Sequence, residues 1–203
     1  MDDLVLKTFV VGDLFTNCYL IYEKGKKGFI IDVPPGLDEV KDFIQKQNLD
    51  ISFCLITHAH FDHIGGLEEF PGSFYVHPED VRLLSDAGLN FSSFLGEPFV
   101  VSRPPLLLNE GNSLSFDNYS IEIIHTPGHT PGSVSLKLGN WLFCGDTIFC
   151  GSIGRTDIPL ASSQQLLKSI NEKIMKLPEA TFIYPGHGPS TTVGAEKESN
   201  PFL

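Results

Sequence analysis

Three histidines and an aspartate lie close together in the string THAHFDHIGG at positions 57–66. An extended His58-x-His60 pair points both imidazoles to one side of the chain, and a bend after it would let Asp62 and His63 face a nearby point. Imidazole and carboxylate groups without thiolate suit Zn²⁺, Fe or Mn²⁺. The string therefore predicts a metal site in which one turn can serve two ions, whereas a solvated turn or a helix cap would account for Asp62 alone.

Three later turns have the same character, because each follows a short apolar run, contains glycine and carries a polar side chain. Glycine permits tight turns, and functional groups gather at the carboxyl ends of strands in α/β sheets. The side chains are His129, Asp146 and His187, while His125 is interpreted as a packed residue or a hydrogen-bond partner. Seven candidate ligands exceed what one tetrahedral ion can use, so the pattern predicts two ions that share a bridging carboxylate.

Apolar runs separated by glycine, proline and charged residues predict alternating strands and helices. The predicted strands are 4–11, 17–22, 28–32, 51–57, 74–77, 113–116, 119–124, 133–138, 140–144 and, closing the fold, 181–184. The predicted helices are 37–48, 79–85 and a third helix that ends at Pro178. Ser162 is the predicted cap of this third helix, with Gln165 three residues later. Its predicted buried stripe is Leu166, Ile170, Ile174 and Leu177. Residues 87–105 are predicted to form a loop. Because the order of strands, helix, strand and histidine turn occurs twice, we expect two sheets packed face to face with helices outside.

The composition describes one acidic globular domain. The chain has 203 residues, with 14 Lys and Arg against 25 Asp and Glu and a formal net charge of −11. This charge argues against nucleic-acid binding, and no apolar run approaches the roughly 20 residues that cross a bilayer. The acidic N-terminus is unlike a secretory signal, so we expect a cytoplasmic protein. The four cysteines, Cys18, Cys54, Cys144 and Cys150, are interpreted as buried thiols. Exposed apolar surface could support a homodimer.

The ordered motifs resemble the metallo-β-lactamase superfamily of binuclear hydrolases. They are THAHFDHIGG, GH at 128–129, GD at 145–146 and GH at 186–187. The stretches GDTIFCGSIGRTD and PGHGPSTTVGAEKESNPFL resemble the hydroxyacylglutathione hydrolase (glyoxalase II)-like branch in its short form, and the similarity spans residues 15–203. It implies an α/β fold, a four-layer αβ/βα sandwich with two mixed β-sheets flanked by helices. It also implies a single domain over residues 1–203 with no C-terminal helical substrate-binding domain.

The resemblance further implies a ligand set for two divalent metal ions, with zinc expected and Fe or Mn as alternatives. It assigns His58, His60 and His129 to the first ion, Asp62, His63 and His187 to the second, and Asp146 to both. Asp146 stands where the β-lactamases proper have Cys or Ser. Asp62 and Asp146, together with a metal-bridging hydroxide, are the expected catalytic groups.

A metal-activated hydroxide suits a small-molecule thioester substrate of the hydroxyacylglutathione type. The thiol leaving group has a pKa of about 8.5 and departs without a general acid, unlike the leaving groups of amides or phosphodiesters. Arg155 falls where the family places a lysine that holds the thiol peptide, and it could act as an anion clamp. A surface salt bridge with Asp157 is the alternative for Arg155. The aromatic residues Phe91, Phe94 and Phe99 either anchor the loop or form an apolar lid over an acyl group.

Three other functions are compatible with the same residues. The first is a lactonase on the same binuclear site. The second is an oxygenase that resembles the persulfide dioxygenases, which keep only the equivalents of His58, His129 and Asp146 on a single iron. The third is a fold stabilised by metal without catalysis. Metal analysis separates the oxygenase from the hydrolases, because the oxygenase would contain one iron per chain and would consume oxygen.

Overall fold

The protein is described by a computed structural model that covers residues 3–24, 26–96 and 98–203. Within these residues the chain forms two compact units. The first unit runs to Val76 and continues from Val81 to Leu107, and the second contains His77–Asp80 and Leu108–Leu203. The division into units does not test the single domain predicted over residues 1–203, which stays a prediction.

Six strands of the first unit form one mixed sheet. They are β1 (Leu4–Val11), β2 (Thr16–Glu23), β3 (Lys27–Ile31), β4 (Asp50–Leu55), β5 (Ser73–Val76) and β6 (Leu106–Leu107). The strands lie side by side in chain order; β1, β2 and β3 pair antiparallel, and β3 to β6 pair parallel. Since β3 and β4 are parallel, their carboxyl ends lie at one edge of the sheet, where the histidine-rich segment begins.

The second unit contains another six-stranded mixed sheet and a small hairpin. The strands are β7 (Ser113–Phe116), β8 (Tyr119–His125), β9 (Val134–Leu138), β10 (Trp141–Gly145), β11 (Ile148–Phe149), β12 (Ser152–Ile153), β13 (Phe182–Pro185) and β14 (Thr191–Thr192). The sheet order is β14-β13-β10-β9-β8-β7, and β11 pairs with β12 in the hairpin. Only the β10–β13 pair of this sheet is parallel, so the carboxyl ends of these two strands lie at the same edge.

Each unit has its own buried apolar cluster and its own helices. The α-helices are α1 (Asp38–Lys46), α2 (Phe61–Ile64), α3 (Val81–Leu84), α4 (Ser163–Glu172) and α5 (Val193–Ser199). Val40 of α1 packs in the first cluster with residues of β2, β3 and β4. Leu166 and Ile170 of α4 pack in the second cluster with residues of β10 and β13. Burial of these helix faces against the sheets is what stabilises such short helices.

The predicted strands are all present within a residue or two of their expected ends, which confirms the α/β class with two mixed sheets. The capped helix is also confirmed, since the Ser162 side chain accepts a hydrogen bond from the Gln165 backbone N–H at 3.3 Å. Its stripe is buried as far as Ile174, but Leu177 is only half-buried. The reason is that the α-helix ends at Glu172 and a short 3₁₀ turn over Ile174–Lys176 follows.

Two element predictions are wrong. The expected helix at 79–85 is a 3₁₀ turn over Pro78–Asp80 followed by the single turn α3, because the buried Asp80 side chain is engaged with backbone and hydroxyl donors of the turn after β8. The strand near 181–184 does not close the fold, because β14 and α5 come after it. The α5 sequence VGAEKES has too few apolar residues to show a helical period, and its stability comes from the Thr192 cap and the buried Glu196 instead.

The interpretation of all four cysteines as buried thiols is wrong for Cys150. Cys18, Cys54 and Cys144 are buried, whereas Cys150 is exposed at the tip of the β11–β12 hairpin. Burial raises the pKa of the Cys54 thiol to about 12, and it raises that of Cys18 as well, so both stay protonated and serve packing. Among the described residues, no helix has the length and apolar character needed to cross a membrane.

Candidate metal centre

Four predicted ligands come together in the first unit at the end of β4. The chain is extended through His60 and then turns into α2, which carries Asp62 and His63 on its first turn. The imidazole centroids of His58 and His60 lie 4.8 Å apart, and those of His58 and His63 lie 4.1 Å apart. All four side chains are buried. The extended pair and the following bend therefore gather the side chains as the motif spacing predicts.

A carboxylate that the sequence analysis missed orients His63. Asp32 is buried at the end of β3, and its Oδ2 accepts a hydrogen bond from His63 Nδ1 at 2.8 Å. Its two oxygens also accept bonds from the Thr57 backbone N–H at 2.8 Å and from Thr57 Oγ1 at 2.7 Å. Since a carboxylate only accepts, His63 carries its proton on Nδ1 and keeps the Nε2 lone pair for a metal ion. Asp32 has φ +58°, a left-handed conformation held by these three bonds.

The same network orients His58 and Asp62. The single hydroxyl proton of Thr57 is donated to Asp32, so Thr57 Oγ1 accepts from His58 Nδ1 at 3.3 Å and His58 also keeps its lone pair on Nε2. On the other side, Thr16 Oγ1 donates to Asp62 Oδ2 at 3.1 Å. These contacts hold the ligands of the first unit in fixed orientations.

The other three predicted ligands come together in the second unit. Asp146 follows β10, and His187 follows the parallel strand β13, so the topology brings them to one edge. Asp146 Oδ2 lies 3.6 Å from His129 Nε2 and 3.6 Å from His187 Nε2. At these distances the Asp146 carboxylate and both imidazoles can serve as ligands of a metal ion.

Backbone contacts orient His129. Its Nδ1 donates to the Arg155 carbonyl oxygen at 2.9 Å, which leaves the Nε2 lone pair for a metal ion. The preceding Gly128 has φ +144°, and a Cβ there would lie 2.3 Å from the Leu166 backbone at the start of α4. Only glycine permits this approach, so the start of α4 fixes the turn that carries His129.

Asp80 holds the other side of the same turn. It is fully buried, accepts from Thr130 Oγ1 at 2.8 Å and accepts from the Gly132 backbone N–H at 2.7 Å. A Cβ on Gly132 would lie 2.6 Å from Asp80. The sequence shows Asp80 only as one acidic residue after Pro78, with no sign of partners some fifty positions away.

The donor set within each unit fits a divalent cation. Neighbouring ligand atoms around a tetrahedral ion with bonds of about 2.05 Å lie about 3.3 Å apart. In the first unit, His63 Nε2 and Asp62 Oδ2 are 3.4 Å apart, which is close to this value. In the second unit, the 3.6 Å distances from His129 Nε2 and His187 Nε2 to Asp146 Oδ2 are also close to it. His58, His63 and His129 all present Nε2 lone pairs because Nδ1 is the donor. Nitrogen and carboxylate oxygen without sulfur suit zinc, iron or manganese.

The Arg155 side chain is engaged with its neighbour Asp157. Its Nε donates to Asp157 Oδ1 at 2.8 Å and a terminal nitrogen donates to Oδ2 at 2.9 Å. These bonds raise the pKa of Arg155 and lower the pKa of Asp157. Both side chains are largely exposed, at 63% and 71%. The ion pair matches the surface salt bridge that the sequence analysis gave as the alternative, and the anion clamp stays a prediction.

The two histidines outside the ligand set stack on each other in the second unit. The rings of His77 and His125 lie 4.0 Å apart at an interplanar angle of 15°. His125 Nε2 donates to the Pro131 carbonyl at 2.8 Å. The stacking and this hydrogen bond agree with the interpretation of His125 as a packed residue or a hydrogen-bond partner, although His77, Glu79 and His125 also offer ligand atoms within 4.8 Å of one another. Burial, together with the neighbouring His125, lowers the pKa of His77 to about 4.

We expect His77 to make the protein less stable in acid. Unfolding returns its pKa from about 4 to the ordinary 6.5, so the unfolded chain binds more protons between these values and stability falls as pH drops from about 6.5 towards 4. His125 and Lys173 oppose the charged form of His77, and Glu110 favours it. Urea unfolding at about pH 7 and pH 5 should show a smaller loss for His77→Asn than for the native chain, by on the order of 1 kcal/mol after solvent screening. Equal losses in both proteins would contradict this role.

Comparison with known protein families gives one clear match. The family model of the Metallo-beta-lactamase superfamily matches residues 11–187. The probable metallo-hydrolase YqgX of Bacillus subtilis is 38% identical over 208 residues, covering 95% of this chain and 94% of that protein. The hydroxyacylglutathione hydrolase GloC of Haemophilus influenzae is 34% identical over 195 residues, covering 92% of each.

Solved structures show the same fold. The crystal structure of BLEG-1 B3 metallo-beta-lactamase has a TM-score of 0.93 and 39% identity, covering 98% of this chain and 99% of that one. TTHA1623 in a di-iron-bound form has a TM-score of 0.85 and 33% identity, covering 97% and 100%. ETHE1 from Myxococcus xanthus has a TM-score of 0.76 and 26% identity, covering 97% and 83%. The predicted fold of two mixed sheets flanked by helices is therefore confirmed.

Proposed function

The chain belongs to the metallo-β-lactamase superfamily, and on that basis we propose that it is a metal-dependent hydrolase that cleaves thioesters of the hydroxyacylglutathione type. The observation that carries the proposal is the position of Asp146, whose Oδ2 lies 3.6 Å from both His129 and His187. A carboxylate shared in this way is characteristic of two-metal hydrolytic sites. The similarity to GloC supports the thioester substrate.

We further propose that the seven side chains hold two divalent ions in the manner of the family. His58, His60 and His129 would hold the first ion, Asp62, His63 and His187 the second, and Asp146 both. Zinc is our first choice for the metal. Iron is the alternative with support, because the similar TTHA1623 is described in a di-iron-bound form.

The chain contributes orientation and charge to this reaction. When bound, the two ions supply a water molecule of lowered pKa and positive charge beside the thioester carbonyl. Asp32 holds the His63 imidazole, and the Arg155 carbonyl holds the His129 imidazole. In both rings Nε2 points away from the hydrogen-bond partner of Nδ1. Asp62 and Asp146 reduce the positive charge of the centre. A thiolate leaves without a proton donor, so the reaction needs no general acid from the chain.

A substrate panel tests the proposed function. The metal-loaded protein should hydrolyse S-lactoylglutathione faster than an acyl-homoserine lactone and faster than a β-lactam. The β-lactam is included because BLEG-1 is described as a B3 metallo-beta-lactamase. An absence of hydrolysis with every thioester tested would contradict the proposal. Oxygen uptake with glutathione persulfide and one iron per chain would favour the oxygenase instead. Cytoplasmic location and a homodimer stay predictions.

We expect Arg155→Ala to raise KM for an anionic thioester about tenfold with less effect on kcat, because an anion clamp outside the reacting atoms contributes uniform binding. The native ion pair with Asp157 would have to open for this role. Asp157→Ala is the matched control and should lower KM or leave it unchanged. Steady-state kinetics with S-lactoylglutathione measures both. A KM of Arg155→Ala equal to that of the native protein would contradict the anion clamp. The salt bridge with Asp157 would then be the role of the Arg155 side chain.

A further inference from the structure

A large cavity in the first unit reaches Asp62. Its volume is about 730 Å³, within the range of pockets that hold small organic ligands. It lies between the β1–β2 connection, the turn at Pro35 and Gly36, the start of α2, and the segment that includes Ser92 and Phe99. Because Asp62 is a proposed metal ligand, the cavity reaches the proposed metal centre. A three-carbon lactoyl group would leave most of this space empty.

Apolar side chains form much of the cavity wall, and no Lys or Arg is among its described lining residues. Six of the lining residues are Val11, Leu14, Pro35, Phe61, Pro98 and Phe99. The charged lining residues are both acidic, Asp13 and Asp62, and none of the described residues that line the cavity is Lys or Arg. A carboxylate group placed in the cavity would therefore lose hydration without gaining a Lys or Arg partner among the described lining residues. The walls favour an uncharged apolar chain.

Three further aromatic residues lie close in sequence to the lining residues Leu14 and Ser92. Phe91 has φ +72°, a strained conformation for phenylalanine, and its ring lies 5.4 Å from the His60 ring and 5.0 Å from the Phe94 ring. Phe94 is 69% exposed, and Phe15, in the connection that contributes Leu14, is 70% exposed at φ +56°. Of these three residues, Phe15 is both exposed and in a strained backbone conformation, a combination that is uncommon for a large aromatic residue.

Hydrogen bonds hold the wall that contains Phe99 in place. The buried Asn90 donates through Nδ2 to the Phe99 carbonyl at 2.9 Å, and Ser92 Oγ accepts from the Phe99 backbone N–H at 2.9 Å. The Asn90 carbonyl in turn accepts from the Phe61 backbone N–H at 2.8 Å, at the start of α2. The apolar wall is thus tied to the helix that carries Asp62 and His63. A wall held by such hydrogen bonds has less freedom to lose when a ligand binds, which lowers the entropic cost of binding.

We propose that this cavity binds the acyl group of the thioester, and that the preferred acyl group is an uncharged apolar chain longer than lactoyl. The inference rests on the proposed hydrolysis of thioesters. The acyl group is assigned to the cavity because a thiol of the glutathione type carries carboxylates, which these walls disfavour. Phe61 and Phe99 are the specificity-determining residues of the assignment.

An acyl series on one thiol tests the proposal. We expect kcat/KM for the metal-loaded protein to rise from S-acetyl- through S-butanoyl- to S-hexanoylglutathione by up to about fourfold per methylene, the full value for burial of a CH₂ group. S-pentanoylglutathione should be preferred over S-glutarylglutathione, which has the same chain length with a terminal carboxylate, by about tenfold or more. Asp13→Lys should reduce the preference for S-pentanoylglutathione over S-glutarylglutathione, because it places a cation at the cavity wall.

Two variants tie the effect to the cavity. Phe99→Ala should flatten the acyl series, whereas Phe202→Ala, which removes an exposed phenylalanine of the second unit, should keep both its slope and its rates. Should Phe99→Ala fail to fold in thermal unfolding, the series on the native protein decides alone. A flat native series, or a preference for glutaryl, would overturn the cavity assignment and leave thioester hydrolysis standing. An absence of turnover with every thioester would overturn both.

Discussion

Replacing Asp146 with alanine is expected to reduce thioester hydrolysis about a thousandfold or more and to lower the metal content of the protein while leaving it folded. The reason is geometric. Asp146 Oδ2 lies 3.6 Å from both His129 Nε2 and His187 Nε2, so one substitution removes a ligand that we assign to both ions. It also removes a negative charge from the centre of two cations. Turnover assays, metal analysis and thermal unfolding on the same preparation measure the three effects.

The matched control for this variant is Asp42→Ala. Asp42 lies on α1 and is exposed, and its long ion pair of 3.9 Å with Lys46 contributes little to stability. We expect this control to keep both metal content and activity. Full turnover by the Asp146→Ala protein would show that Asp146 is not the shared ligand.

Replacing Asp32 with alanine is expected to lower both stability and metal affinity. The substitution leaves Thr57 N–H, Thr57 Oγ1 and His63 Nδ1 buried without their acceptor, which costs about 3–5 kcal/mol in the free energy of unfolding. His63 also loses the bond that fixes its tautomer and ring orientation. Loss of such a partner weakens metal binding about 10–100-fold.

Thr57→Val separates the two effects of Asp32. It removes the hydroxyl that donates to Asp32 and accepts from His58 Nδ1 while leaving the His63–Asp32 bond at 2.8 Å intact, so the free energy of unfolding should fall by about 1–2 kcal/mol and metal affinity should fall less than in Asp32→Ala. Urea unfolding and competition with a chromophoric chelator measure the two quantities. An Asp32→Ala protein that binds metal as tightly as the native chain would contradict the orienting role.

The sequence was enough to predict the ligand-bearing turns, because their information is local. The spacing in His58-x-His60 and the apolar run before it specify an extended chain leaving a strand, and the structure has that arrangement at the end of β4. The cap of α4 is local too, since Ser162 and Gln165 are three residues apart. Patterns of this kind need no knowledge of the tertiary fold.

The residues that orient the ligands could not be predicted in the same way. Asp32 acts on His63 across 31 positions, and Asp80 acts on Thr130 across 50. Neither pair shows a spacing that a sequence reader can recognise, because the contact exists only after the strands have paired. For Arg155 the sequence draws attention to the guanidinium, yet the contact that orients a ligand is made by its backbone carbonyl to His129. A backbone contact is independent of side-chain type and leaves no motif.

Family membership determines the chemistry more tightly than the substrate. Similar proteins are described as a probable metallo-hydrolase, a hydroxyacylglutathione hydrolase and a B3 metallo-beta-lactamase, although each is 34–39% identical to this chain. Substrate choice must therefore come from the walls around a common centre. In this chain we assign that choice to the cavity that reaches Asp62.

The number of metal ions bound per chain tests the central claim most directly. Elemental analysis of the protein, after saturation with Zn²⁺ and removal of loosely bound ions, should find two ions per chain. The Asp146→Ala protein should hold fewer under the same conditions. One ion per native chain at saturation, or metal content unchanged by loss of Asp146, would contradict a two-metal centre built from these seven side chains.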